Sequence, residues 1–306
     1  MSGVAPSYRT LGREDFEGLL EMWNASAPFD PLTPELLEEK TWSDPGFETE
    51  LARVCEVNGA IAGFGMAVLR ETGGGPRGVI KLLAVAEAHR RRGIGRRLLA
   101  TLEEELRSRG VHTLRVCESP PNYLAPGVDA RCDSANGFFE KHGYRPAGTA
   151  CNMSVNLLDR PFPFEQEERA LAVQGVECRR AQAADRGDLN GLLEAHWPSW
   201  REEVAVSLQN VPPALHIALR GGRVVGFAAW DANNRGTGWF GPMGTAPGLR
   251  GLGIGRVLLL RCLADMKAAG HPSAVIPWVE PVEFYEKVAG AVVSRTFNRY
   301  EKVLAP

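Results

Sequence analysis

The chain has 306 residues, 44% apolar and 24% charged, with a net charge of −2. That length fits one large domain or two of ordinary size, and the composition fits packed cores under a solvated surface. The near-zero charge argues against a general polyanion binder, so no nucleic-acid partner is expected, and no run approaches ~18 uninterrupted apolar residues, so no membrane span is expected. Met1 to Thr10 has neither a hydrophobic run nor a cleavage-site pattern, so no signal peptide is read there. The six cysteines (Cys55, Cys117, Cys132, Cys151, Cys178 and Cys262) form no CxxC pair. Their spacing indicates neither a metal site nor a disulfide framework, and reduced thiols in a cytoplasmic protein are expected.

In chain order, residues 13–24 read as an amphipathic helix, with Phe16, Leu19, Leu20 and Trp23 at helical spacing. Leu51 to Val57 and Ile61 to Leu69 read as a hairpin about Asn58-Gly59. Val79 to Val85 is a short apolar run suited to a buried strand. A helix is expected over 93–109, a strand over Leu114 to Cys117, a helix from Ser134 to His142 and a strand from Gly148 to Leu157. Helices follow near 185–196, 253–269 and 282–289. Strands are expected near 214–219, 223–230, 238–245, 274–279 and 291–303.

This second series repeats the first. Arg90-x-x-Gly93-Ile94-Gly95-Arg96-x-Leu98-Leu99 matches Arg250-x-x-Gly253-Ile254-Gly255-Arg256-x-Leu258-Leu259 without a gap. Asp15 to Glu21 resembles Asp188 to Glu194, Asn58 to Phe64 resembles Gly221 to Phe227, and Phe138 to Lys141 resembles Phe284 to Lys287. Collinear self-similarity of this kind marks a duplicated unit. The expected division is an N-terminal domain over 1–158, a Pro-containing and charged linker over 159–174, and a C-terminal domain over 175–306. Each copy is expected to be an α/β module with a mixed central sheet flanked by helices.

The chemistry-bearing element is the Arg-x-x-Gly-x-Gly turn between a buried strand and a helix. Glycines let backbone approach a ligand closely, and the first helical N–H groups lack partners at the positive end of the helix dipole. Such a turn suits pyrophosphate. In the first copy Arg90, Arg91, Arg92, Arg96 and Arg97 are placed to meet further phosphate charge, and in the second Arg250 and Arg256. A dinucleotide fingerprint would want a small residue at Leu98 or Leu258, and a Walker A loop would need Gly-Lys-Ser/Thr, so neither fits. A glycine-rich turn that only caps a helix remains the plainer alternative.

These turns, with Phe138 to Tyr144 and Phe284 to Lys287, resemble the acyl-CoA signature of the GNAT N-acetyltransferases. The resemblance covers nearly the whole chain twice. In layout it extends to tandem members such as mycothiol synthases and glucosaminide N-acetyltransferases. It implies two tandem GNAT folds, in each of which two central parallel strands splay apart and acetyl-CoA, or another short acyl-CoA, lies in the gap. The CoA contacts it implies are Leu83, Ala84, Val85, Arg90, Arg91, Arg92, Gly93, Ile94, Gly95 and Arg96 in the first copy. In the second they are Met243, Gly244, Thr245, Arg250, Gly251, Leu252, Gly253, Ile254, Gly255 and Arg256.

The family often places a proton-donating tyrosine in the second helix. Tyr285 holds that place in the second copy and Phe139 in the first, so the C-terminal copy is expected to be catalytic; packing alone is the alternative for Tyr285. Neither strand before a turn carries a carboxylate. The general base is expected at Glu280 or Asp231, or in a water chain. Glu280 also reads as a carboxylate at a helix N-terminus, and Asp231 as a turn residue. Trp197, Trp200, Trp230, Trp239 and Trp278 crowd the second copy, as an acceptor pocket or as core. The expected reaction is direct transfer of acetyl to a primary amine of a small molecule, without metal. A non-catalytic acyl-CoA sensor and a peptide or protein acetyltransferase are the alternatives.

Overall fold

The structure, a computed structural model, describes residues 5–72 and 75–304. Residues 1–4, part of the stretch read for a signal peptide, lie outside the described residues. The chain divides into two compact units, one of residues 1–150 with 296–306 and one of residues 151–295. No described helix is long and apolar enough to cross a membrane.

The first copy runs β1 (Ser7–Thr10), α1 (Phe16–Ser26), α2 (Pro34–Lys40), β2 (Ala52–Val57), β3 (Ala60–Thr72), β4 (Gly75–Val85), α3 (Ile94–Ser108), β5 (Thr113–Val116), β6 (Val128–Asp129), α4 (Asp133–Lys141) and β7 (Arg145–Asn156). The second runs α5 (Glu165–Val173), β8 (Val176–Arg180), α6 (Arg186–His196), α7 (Arg201–Gln209), β9 (Leu215–Arg220), β10 (Arg223–Trp230), β11 (Phe240–Thr245), α8 (Ile254–Ala268), β12 (Ser273–Ile276), α9 (Val282–Ala289) and β13 (Val292–Val303).

Local chemistry accounts for the elements that frame the sites. Asn58-Gly59 and Gly221-Gly222 both take positive φ at the two central turn positions, which sets the β2–β3 and β9–β10 hairpins. α3 buries Leu98, Leu99, Leu102 and Leu106, a stripe at helical spacing. Thr33 caps α2, its Oγ1 accepting from the Leu36 N–H at 3.2 Å, with Pro34 at the first helical position.

In the first unit β1, β2, β3 and β4 pair antiparallel in that order. β5 then joins β4 in parallel. The outer edge of β5 is taken by the end of β13, with Glu301, Lys302 and Val303 opposite Arg115, Leu114 and Thr113. In the second unit β8, β9, β10 and β11 form an antiparallel sheet. β12 pairs antiparallel with residues 153–156 of β7. It meets the strand line of β11 through one parallel bridge, Trp239 to Val275. Each unit is thus a mixed sheet with helices packed on it.

The compact units divide the chain differently from the boundaries read in the sequence. β7 leaves the first unit at Ala150 and β13 re-enters it at Thr296, so each unit is completed by the last strand of the other copy. Strand periodicity identifies β7 and β13 as strands but carries no information on which sheet receives them. The stretch expected as a linker, 159–174, holds helix α5.

Phe297 and Tyr300, at 0% and 1% exposure, belong to this exchanged strand and sit in the first unit. Phe297→Ala is expected to lower unfolding free energy by about 3–5 kcal/mol, read by urea denaturation. A change below about 1 kcal/mol would contradict the placement.

Candidate active site

The site in each copy begins with a strand that loses its neighbour. β4 and β5 are paired only at Gly78–Leu114, Val79–Arg115 and Ile80–Val116, and the Cys117 N–H adds a bond to the Ile80 carbonyl at 2.9 Å. β4 runs on to Val85 beside β3 alone. At the point of parting a bulge inserts Lys81, the register stepping from Met66–Leu82 to Ala67–Ile80. The second copy does the same: β10 advances from Ala228 to Trp230 while β11 goes from Met243 back to Phe240. A bulge bends and twists its strand, and here it turns β4 and β11 away from their parallel neighbours.

The open edge carries backbone donors. The Ala86 N–H donates to the Ala62 carbonyl, and the Ala246 N–H to the Val225 carbonyl, both at 2.9 Å. Strand alternation then aims the Ala84 and Gly244 N–H groups at β3 and β10 and those of Leu83, Val85, Met243 and Thr245 into the gap. Unpaired strand edges accept an extended ligand by adding hydrogen bonds, as in strand augmentation.

The gap leads into the glycine-rich turn. Gly93 and Gly253 stand before α3 and α8 at φ +85° and +95°, a conformation open to glycine at little cost. A Cβ on either would meet nothing within 4 Å, so the turn faces open space. A Cβ on Gly95 would lie 3.4 Å from Phe138 and Val85, and one on Gly255 3.3 Å from Met243 and 3.7 Å from Phe284. The second helix of each copy therefore lays an aromatic ring beside the turn. The first regular helix bonds run from Arg97 N–H to the Gly93 carbonyl and from Val257 N–H to the Gly253 carbonyl, which leaves the amides of 94–96 and 254–256 outside the helix ladder.

The arginines of the motif divide by role. Arg90 Nε donates to the Val85 carbonyl at 3.1 Å, and Arg250 Nε to the Thr245 carbonyl at 3.5 Å. The signature arginine thus clamps the turn to the end of the strand in both copies. Arg97 lies over the Tyr8 ring at 4.0 Å. Arg91, Arg92 and Arg96 are exposed and make no hydrogen bond or ion pair among the described residues. Arg91 has φ +63° where the second copy has Gly251 at +84°. The first copy keeps a cation in a backbone conformation that costs a side chain about 1 kcal/mol. Leu252, at the place of Arg92, is 36% exposed and carries no charge.

Tyr285 is on α9, 9% exposed, with its ring 5.0 Å from Phe284 and 6.4 Å from Phe240. It stands between the ring beside Gly255 and the strand at the bulge. Among the described residues its hydroxyl makes no hydrogen bond, and it is not sealed from solvent as an unsatisfied polar atom. Burial pushes its pKa up to about 12, so it is a protonated donor at neutral pH. In the first copy Phe139 packs on Phe138, Tyr144 and Tyr300. The hydroxyls nearest it are committed, Tyr144 to Glu103 at 2.9 Å and Tyr300 to Asn136 and Glu140 at 3.0 Å.

The two carboxylates considered as bases differ. Asp231 Oδ1 accepts from the Gly236 N–H at 2.6 Å, and its own N–H donates to the Trp239 carbonyl; it closes the β10–β11 loop at φ +54°. Glu280 is exposed and makes no hydrogen bond or ion pair among the described residues. Its loop is held by β7: the Trp278 N–H donates to Asn152 Oδ1 at 3.0 Å, and the Val279 N–H to the Cys151 carbonyl at 3.0 Å. Trp197 and Trp200 stack 5.6 Å apart against Phe227, and Trp197 fills the space over Gly244; both are half-buried and pack against the core of the second copy. Trp230 packs edge-on to His271 and Trp239 is 7% exposed.

Two stretches, residues 16–144 and 186–291, match the model of the acetyltransferase (GNAT) family. The chain belongs to that family, as two tandem GNAT folds, and is an N-acetyltransferase. It is 29% identical over 229 residues to a mycothiol acetyltransferase of Thermomonospora curvata, covering 72% of this chain and 70% of that protein. A GCN5-related glucosamine N-acetyltransferase region of a fungal multi-domain GH3 β-N-acetylglucosaminidase has a TM-score of 0.83 at 19% identity. That match covers 97% of this chain but only 38% of the fungal one. A tandem GNAT protein of the clavulanic acid biosynthesis pathway has a TM-score of 0.72 at 16% identity, covering 99% of both chains. At such identities the solved structures speak for the fold.

The strained arginine gives a test of the first turn. In Arg91→Gly, relief of left-handed strain and the added freedom of glycine in the unfolded chain roughly offset, so stability is expected to move by less than about 0.5 kcal/mol. Affinity of the first site for acetyl-CoA is expected to fall about 3- to 10-fold with the lost charge. Thermal unfolding and calorimetric titration read the two effects separately; unchanged affinity would remove Arg91 from the site.

Proposed function

We propose that the chain transfers acetyl, or another short acyl group, from acyl-CoA to a primary amine of a small molecule, with the chemistry in the C-terminal copy. The observation that carries this reading is the pair Tyr285 and Phe139. Among the described residues Tyr285 offers the second gap a neutral hydroxyl without a protein partner, and Phe139 at the matching place of the first copy has no hydroxyl. Acyl-CoA lies with its pantetheine along the Leu83–Val85 and Met243–Thr245 edges and its pyrophosphate on the amides of Gly93 to Arg96 and Gly253 to Arg256, the glycine turns leaving the room it needs.

In the second copy the acceptor amine attacks the thioester carbonyl directly. The oxygen that gains charge is met by an inward N–H of Met243 or Thr245. Tyr285 protonates the departing thiolate; the burial that raises its pKa equally raises the basicity of a thiolate formed beside it. Asp231 accepts a loop N–H through one oxygen, so the amine proton goes to Glu280, which has no such engagement among the described residues, to Asp231, or to a water chain. Likeness to a protein named for mycothiol acetylation supports a small polar amine as acceptor.

With acetyl-CoA and a panel of small amines, Tyr285→Phe is expected to lower kcat about 100-fold or more. Wild-type kcat is expected to show no alkaline decline below about pH 10, because the acid form of a group titrating at about 12 persists to that pH. Full turnover by Tyr285→Phe would overturn the assignment of the catalytic copy. Turnover confined to peptides would overturn the acceptor class, and acetyl-CoA binding without turnover on either would leave a sensor.

A further inference from the structure

The two turns share their backbone but not their electrostatics, and the difference is traceable to one carboxylate. In the first copy Arg96, directly after Gly95, is exposed and unpaired among the described residues. Arg256 holds the same place after Gly255, on the first turn of α8. Its Nε donates to Glu167 Oε1 at 3.1 Å, both side chains being 39% exposed.

Glu167 comes from α5, the helix directly before β8. The first turn of α5 carries Glu165, Glu167 and Glu168, residues that favour a helix N-terminus. Two of the three are directed at α8. Glu168 Oε1 accepts from Arg261 at 2.6 Å, and Arg261 also lies 4.8 Å over the Phe164 ring. α5 is therefore latched to α8 at Arg261, well along the helix. The Glu167 contact is a separate one, made at the mouth of the glycine turn. Arg250 is already turned to the Thr245 carbonyl, and Gly251 and Leu252 replace Arg91 and Arg92. With Arg256 held by Glu167, the second turn presents no unpaired arginine among the described residues, whereas the first presents Arg91, Arg92 and Arg96.

We propose that Glu167 sets the donor affinity of the second acyl-CoA site: by holding Arg256 it withdraws from the phosphates the cation of that turn not already turned to the strand end, and leaves a weak, salt-insensitive grip on the nucleotide end of the donor. The inference rests on the reading that the second gap holds acyl-CoA. The consequence is a division between the copies. The first turn holds the nucleotide by charge as well as by helix amides. The second relies on helix amides and on the strand edge along the pantetheine, so spent CoA leaves it without breaking an arginine–phosphate contact.

The test is calorimetric titration of acetyl-CoA into the full chain carrying Gly93→Asp, which closes the first turn by bulk and charge. Glu167→Gln in this background is expected to tighten binding about 3- to 10-fold and to make it weaken with added salt. Glu168→Gln, which loosens the latch but not the turn, is expected to leave affinity unchanged. Adding Arg256→Gln to Glu167→Gln is expected to erase the gain. The KM for acetyl-CoA in chains with Gly93 intact gives a second reading of the same order. Unchanged affinity in Glu167→Gln, or an equal gain in Glu168→Gln, overturns the inference while leaving the site. No second-site binding in any variant instead overturns the acyl-CoA reading of that gap, and the inference with it.

Discussion

A strand that parts from its neighbour is the feature on which the rest of the molecule depends. In a closed sheet the amides of Met243 and Thr245 would be satisfied by protein. The bulge at β11, and the single bridge that β12 makes to its strand line, leave them facing a gap instead. An exposed edge of this kind is normally an aggregation hazard. Here it is short, ends at a glycine turn, and is flanked by a helix that lays Phe284 beside the opening. The cost of unpaired backbone is offset when an extended amide-bearing ligand pairs with it. On the proposed reading donor recognition is largely a property of main chain, and little side-chain identity is needed to retain it through a duplication.

That explains why the two copies keep one frame yet diverge in chemistry. The hairpin turns, the bulge, the left-handed residue before the helix and the arginine clamp on the strand end recur in both. What changes lies on side chains around the frame. The first copy has gathered unpaired arginines at its turn and put Phe139 where the second has Tyr285. The second has Tyr285 with a free hydroxyl and a turn nearly stripped of free charge. A cationic turn favours holding a nucleotide; a hydroxyl at the proposed thioester position favours using it.

Much of this was legible in the sequence. The repeat, the hairpins about Asn58-Gly59 and Gly221-Gly222, and the helices after the two Arg-x-x-Gly-x-Gly turns follow from local signals, and the structure has them. α2 went unread although Thr33-Pro34 is a helix-start signal, because the segment has no long apolar period. The exchange of β7 and β13 was not readable, since pairing choice is decided by tertiary contacts. Side-chain commitments were equally hidden. Nothing local says that Arg90 and Arg250 reach back to strand carbonyls, that Asp231 accepts from the Gly236 N–H in its loop, or that Asn152 holds the backbone of Trp278. The aromatic pair Phe138 and Phe284 was visible as a repeat match, but its place beside Gly95 and Gly255 needed the fold.

The most direct test of the central claim is amide hydrogen exchange at β11, resolved by residue, with and without acetyl-CoA. The Gly244 amide, bonded toward β10, is expected to be slow in both states. The amides of Met243 and Thr245 should exchange readily in the free protein and slow markedly when acetyl-CoA is bound. Protection of Met243 and Thr245 already in the free protein, or no change on adding acetyl-CoA, would contradict the open edge as the donor site.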